Sequence, residues 1–330
     1  MTSSNRNPNR GGRGLLWLIG LLLLAFALYS AGWFWAAARV RSETSEAIAA
    51  LEARGISAEC ADMKIGGYPL GLTVTCERLA YRDDRRAVAA VAGNLQATAS
   101  LFGPLAPVLY LDGPLRAEAP GIAPLRIDWE RLQATTALWW PMPSRVTVTA
   151  QGLSGQADPQ GADQVRLFTV ESAEAEFSPL GRALGYRGQF SRLAIEADAI
   201  GGRVLPPLDG AGEAILTDGI TLLRGGSNSL RGHAAEIAKL ELVSGEAGIS
   251  LSGPIAVDEE GLVDASLEIS LRDPKAVGAI LSAAIPERKR QIEQAFSALA
   301  MLGSTPMTLK IVKGRAALGF IPLGRIPPFP

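Results

Sequence analysis

The sequence predicts a mainly-β protein: an N-terminal transmembrane helix and stalk, then an elongated, curved antiparallel β-sheet domain with one late, broken helix (about 274–302) packed on it. Three observations carry this reading. Residues 15–38 are apolar and uncharged throughout. Beyond them, apolar and polar residues alternate in stretch after stretch, as in strands with one buried face. Glycine and proline, 36 and 21 of the 330 residues, punctuate these stretches, and one later segment switches to helical spacing.

The apolar run, Leu15 to Ala38, matches the roughly 20 residues a helix needs to cross a ~30 Å hydrocarbon core. Arg6, Arg10 and Arg13 precede it without an acid, while Glu43 and Glu46 soon follow Arg39 and Arg41. That asymmetry places residues 1–14 in the cytoplasm. Trp17 near one end and Trp33 and Trp35 near the other suit the two interfaces. The competing reading is a cleaved signal peptide with Ala36-Ala37-Ala38 as its cleavage site; the run exceeds the usual 7–15-residue signal core. Residues 39–55 continue as a helical stalk, with Ile48 and Leu51 on one side and Gly55 as its stop.

Residues 56–330 form the extramembrane domain, with a candidate division into halves near 201–210. Ile65-Gly66-Gly67-Tyr68-Pro69-Leu70-Gly71 is a turn between Cys60 and Cys76. Leu72, Val74 and Cys76 then alternate with Thr73, Thr75 and Glu77. Similar alternation places Val146, Val148 and Ala150 on one face, then Leu193, Ile195 and Ala197, then Ala238, Leu240 and Leu242. The clearest strand carries Val263, Ala265, Leu267, Ile269 and Leu271, preceded by a hairpin turn at Asp258-Glu259-Glu260-Gly261. Asp273 N-caps a helix with Pro274 at N1. Val277, Ile280, Leu281 and Ala284 form its face, Pro286 restarts it, and Ile292, Phe296 and Leu299 continue to Gly303. A strand at Met307–Val312 and a turn at Lys313-Gly314-Arg315 follow.

Net charge is −1, and the arginine-only tail leaves the rest of the chain more acidic still. That balance excludes a nucleic-acid-binding role. The two cysteines, in an oxidising compartment beyond a membrane, form either a bridge or a pair of buried thiols. With the single His233 they do not make a four-ligand metal set.

Catalytic patterns are equally sparse, and no cofactor or enzymatic activity is expected. His233 has no placed nucleophile or acid cluster in the sequence. Gly152-Leu153-Ser154-Gly155 is not a nucleophile elbow, and no serine lies three residues before a lysine. Gly201-Gly202 and Gly225-Gly226 read as turns. Asp83-Asp84 and Asp258-Glu259-Glu260 read as solvated turns rather than paired catalytic carboxylates. Trp129, Trp139 and Trp140 read either as plugs of the sheet or as an apolar lip for a membrane or acyl chain. Pro327-Pro328-Phe329 reads as a docked tail or a partner-binding peptide.

Several stretches together resemble domain-of-unknown-function family 2125, inner-membrane-anchored periplasmic proteins of Gram-negative bacteria. The most specific is Cys60, the motif Gly67-Tyr68-Pro69-Leu70 and Cys76, where the family pattern has Gly-Tyr-Pro-Phe. Others are Leu95-Gln96-Ala97 to Gly113-Pro114-Leu115, Asp128-Trp129-Glu130-Arg131-Leu132, Leu251-Ser252-Gly253-Pro254-Ile255 and the Gly314 to Pro327 end. The resemblance implies an inner-membrane protein with its main domain in the periplasm, and it carries no activity. The texture of the strands also resembles AsmA-like envelope proteins at the level of fold. The expected function is non-enzymatic: an envelope protein whose partners are the membrane and a lipid held in a sheet groove. The alternative is a scaffold for an envelope protein complex.

Overall fold

The computed structural model describes residues 10–137, 143–158, 164–225, 230–301, 306–319 and 321–329. Its first element, α1, runs unbroken from Arg10 to Glu52. The segment Leu15–Glu52 is long and apolar enough to cross a membrane, and no residue of its most apolar stretch is buried. Gly55, at φ 79°, ends it in the left-handed conformation, which glycine adopts without a Cβ clash.

From Gly55 the chain reverses and forms one antiparallel sheet. Its first part is a meander of strands broken along a common line. β1 (Ile56–Ala61) leads into β2 (Lys64–Gly66), and β3 (Gly71–Cys76) into β4 (Arg78–Asp83). Then β5 (Val88–Ala92) leads into β6 (Leu95–Ser100), β7 (Gly103–Leu111) into β8 (Leu115–Glu118), and β9 (Leu125–Asp128) into β10 (Arg131–Ala137). On one side of the line the order is β2-β3-β6-β7-β10; on the other it is β1-β4-β5-β8-β9. Both halves meet β11 (Arg145–Ala157), which pairs with β10 through Arg145–Gln151 and with β9 through Ser154–Ala157. Gly152, at φ 62°, marks the line on β11 itself.

The meander continues through β12 (Val165–Leu180), β13 (Ala183–Ile195), β14 (Leu208–Leu216), β15 (His233–Ser244), β16 (Ala247–Val257) and β17 (Val263–Arg272). It ends with β18 (Met307–Val312), β19 (Arg315–Leu318) and β20 (Ile321–Arg325). β13 and β14 stay paired from Leu184↔Leu216 to Leu193↔Leu208, so the sheet is continuous across the 201–210 region. Short helix α2 (Gly219–Gly225) lies between β14 and β15.

Two details differ from the alternation read in the sequence. Ala197 opens a 3-10 turn, Ala197–Ile200, after the strand has ended at Ile195. Ala238 falls in a bulge where the register shifts between Ile237 and Leu240, so Ile237 rather than Ala238 shares the apolar face with Leu240 and Leu242. An extra residue in a strand inverts the period-2 pattern at that point.

The late helix is broken as expected: α3 (Pro274–Ala284), a 3-10 turn at Pro286–Arg288, and α4 (Lys289–Met301). The Asp273 carboxylate accepts the Ala276 N–H at 3.0 Å and caps α3. Val277 packs with Ala247 and Leu271, and Phe296, Leu299 and Met307 close around them. A second core holds Val257, Val263, Ala265, Leu267 and Ile311, with Ile326 packed against it.

Candidate functional site

The site begins where the β2–β3 turn meets α1. From Gly55 the chain runs back along the helix, so Gly67-Tyr68-Pro69-Leu70 arrives beside the aromatic stretch of the apolar part of α1. The Tyr68 ring lies 5.4 Å from Trp33, 5.9 Å from Phe34, and 6.4 Å from both Phe26 and Tyr29, centroid to centroid. Trp33 Nε1–H donates to the Gly71 carbonyl at 2.7 Å, and the Tyr29 hydroxyl donates to the Pro69 carbonyl. The Ser30 and Tyr68 hydroxyls are bonded at 2.8 Å. The helix side of this contact is absent from the sequence reading. Its signal is the spacing Phe26, Tyr29, Trp33, which places three aromatics on one helical face.

Cys60 on β1 and Cys76 on β3 form a disulfide, Cα–Cα 5.2 Å, at the line where the strands break. It ties the two halves of the broken sheet together beside the Gly-Tyr-Pro turn. A cavity of about 510 Å³ opens at the same place. Val74, Cys76, Leu95 and Leu111 line it from one side of the break, and Leu79, Ala92 and Leu115 from the other. Thr44 and Ile48 of α1 complete the wall.

The apolar face does not stop there. Register carries it strand by strand: Ala150↔Ala173, Ala173↔Phe190, Phe190↔Gly210 and Gly210↔Leu242. Over β12–β15 it is floored by rings lying across glycines, Tyr186 over Gly188 and Phe190 over Gly210. A side chain at either glycine would collide with the ring. A depression of about 260 Å³ lies here, lined by Tyr186, Phe190, Leu240 and Leu242. α3 and α4 cover the face only beyond it, over Ile249, Ile269 and Leu271.

The other residues singled out in the sequence are dispersed. Trp129 is half-buried at the break line, donates from Nε1 to the Leu111 carbonyl at 2.7 Å, and lies against Gly113. Trp139 and Trp140 lie outside the described residues. His233 opens β15, and its Nδ1 is buried without a hydrogen-bond partner. Asp83 sits at a turn as expected but is 4% exposed rather than solvated, because its carboxylate accepts the N–H groups of Arg85 and Arg86. Asp258 likewise accepts the Leu262 N–H at 2.7 Å. The tail is docked: Phe329 N–H donates to the Gly261 carbonyl, and the Arg231 guanidinium donates to the Phe329 carbonyl.

Asp128 joins the break line through a two-point bond with Arg126, at 2.8 and 3.0 Å, and a bond from Gln156 at 3.1 Å. The Arg126 hydrogen bond, with a further one from Gln156, holds its carboxyl below the usual carboxylate range. A folded-state pKa below the unfolded one contributes stability above about pH 4, which is lost as pH falls through the folded value. Asp128→Asn is therefore expected to lower the unfolding temperature at neutral pH, at about 1 kcal/mol or less for so accessible a pair. The gap from the parent should close below about pH 4 in a pH series of thermal melts; a pH-independent gap would refute the assignment.

Helix, bridge and sheet define a class: one apolar N-terminal helix carrying a single antiparallel sheet, with a disulfide where the two meet. The chain belongs to domain-of-unknown-function family 2125, described as an uncharacterized protein conserved in bacteria, whose model matches residues 33–327. The AsmA-like likeness has no counterpart in that match. No curated protein matches the sequence.

Proposed function

We propose that this is a non-enzymatic, single-span protein of the bacterial inner membrane, its sheet in the periplasm, which holds a lipid acyl chain against the apolar face. The observation that carries this is the continuity of that face. It begins at the cavity against α1, passes the bare rings over β12–β15 and ends beneath α3 and α4. Thr44 and Ile48 place the cavity about 9–15 Å beyond Ala38 at the helical rise of 1.5 Å per residue, within reach of a lipid leaving the leaflet. A cavity of that size, walled by aliphatic side chains, suits a flexible apolar chain. The disulfide fits an oxidising compartment, and the arginine-only tail fits a cytoplasmic N-terminus. An uncleaved anchor is supported by the Tyr68 contact, since cleavage after Ala38 would remove Phe26, Tyr29, Trp33 and Phe34 from it. The turn carboxylates Asp83 and Asp258 are engaged by backbone N–H groups, which supports structural rather than catalytic work for them.

Native mass spectrometry of the full chain extracted in mild detergent is expected to show bound lipid. Ala90→Trp, which fills the cavity, should release it while the melting temperature stays near that of the parent stripped of lipid. A lipid-free parent in repeated preparations would overturn the reading. The bare stretch over β12–β15 favours a second reading, a scaffold whose sheet face meets an envelope protein. Cross-linking from Leu240 to one stoichiometric protein, without lipid, would select it.

A further inference from the structure

We infer that two charge-free turns at the end of the sheet beside α1, β2–β3 and β6–β7, are immersed in the outer leaflet of the membrane. The inference rests on the anchor reading and adds a second membrane contact to it.

Depth comes first. The rings that hold Tyr68 lie at positions 26 to 34. At 1.5 Å per residue they stand about 16–28 Å from Leu15, inside a hydrocarbon core of ~30 Å that starts there. Measured from the other end, Phe26 and Trp33 lie about 18 and 8 Å below Ala38, the last uncharged residue. Either way, whatever touches these rings is at membrane depth. The neighbouring turn is at the same level, because the Leu101 N–H donates to the Leu70 carbonyl at 2.9 Å.

Composition agrees. Residues 65–76 and 95–111 contain no charged side chain. Leu70, Leu101, Phe102 and Leu105 are all exposed at this end, Phe102 to 91%. The turns at the opposite end carry Asp83, Asp84, Arg85 and Arg86, then Glu118, then Asp158. Charge returns at this end of the sheet only several strands from α1, at Arg145 and Arg182; a sheet wholly in water would have no reason to keep the turns beside the anchor free of it.

Hydrogen bonding is the independent observation. A non-helical turn in hydrocarbon must have its polar groups satisfied by protein. Here Tyr29 and Trp33 donate to the Pro69 and Gly71 carbonyls, the Gly71 N–H donates to the Gly67 carbonyl, and Tyr68 and Ser30 satisfy each other. A turn in water would need none of these partners.

The test uses the full-length, oxidised chain, whose two cysteines are bridged, reconstituted into phosphatidylethanolamine–phosphatidylglycerol vesicles. An environment-sensitive fluorophore is placed at Phe102→Cys, at Arg85→Cys on the opposite end, or at Leu22→Cys in the helix. Spin-labelled phospholipids are expected to quench the labels at positions 102 and 22 and to spare that at 85. A label at 102 left unquenched, and as open to aqueous iodide as that at 85, overturns immersion. If the label at 22 is unquenched too, the anchor falls with it; if the label at 22 alone is quenched, the anchor stands and only the immersion fails.

Discussion

Removing the Cys60–Cys76 bridge is expected to lower the stability of the folded chain by about 3 kcal/mol. The bridge closes a loop between residues 16 apart in sequence, and restricting the unfolded chain to that extent gives the figure in the chain-entropy model. Its position adds to the effect. Backbone pairing passes from β1–β4 to β2–β3 at this line, so the ladder that would otherwise hold the two halves in register is interrupted there. The right variant is the double change Cys60→Ala with Cys76→Ala. A single change leaves a free thiol, and serine at position 76, 3% exposed, would bury an unpaired hydroxyl. Denaturant unfolding of the detergent-solubilised chain should show the parent losing stability on reduction and the double variant indifferent to it. A parent insensitive to reductant would refute a stabilising bridge. Loss of register at the line should also loosen the Tyr68 turn, seen as faster hydrogen exchange of Gly71 than of residues in β17.

Much of the secondary structure was legible because its signals are local. An uncharged run marks α1, a proline after Asp273 and another after Ile285 mark the broken helix, and strict alternation marks β17. The break line was not legible, because it exists only once several strands are in register. Nothing in Ala61, Cys76, Ala92, Leu111 and Asp128 taken separately says that their strands pause together. Trp129 illustrates the difficulty: its indole reads as a plug or a lip until the Leu111 carbonyl arrives beside it. Ala238 was misplaced because a bulge shifts the period without altering composition. The site shows the same division. Cys60, Cys76 and the Gly-Tyr-Pro turn were visible as residues, whereas their meeting with Phe26, Tyr29 and Trp33 depends on the chain reversing at Gly55. Period-2 alternation also tells which residues share a face but not what covers it, and for function that is the decisive question.

A pair of leucines addresses that question. Leu267 and Leu240 are both apolar strand residues directed to the same sheet face, but Leu267 is 5% exposed and Leu240 is 42% exposed. Leu267 belongs to the cluster with Val263 and Ile311, closed by Ile326 as the tail passes. Leu267→Ala is expected to cost about 2–5 kcal/mol, the lost transfer energy plus the cavity left behind in a packed site. Leu240→Ala removes a side chain already largely in solvent, with less apolar area to lose at about 25 cal/mol per Å², and should cost below about 1 kcal/mol. The comparison is made by denaturant unfolding of the delipidated protein. Equal losses would mean that the face over β12–β15 is packed within the chain itself, leaving no surface for a ligand or partner. A large loss at Leu267 with a small one at Leu240, followed by a greater loss at Leu240 when lipid is restored, is the pattern an open, ligand-covered face requires. Burial that appears only with the ligand stabilises only the liganded protein.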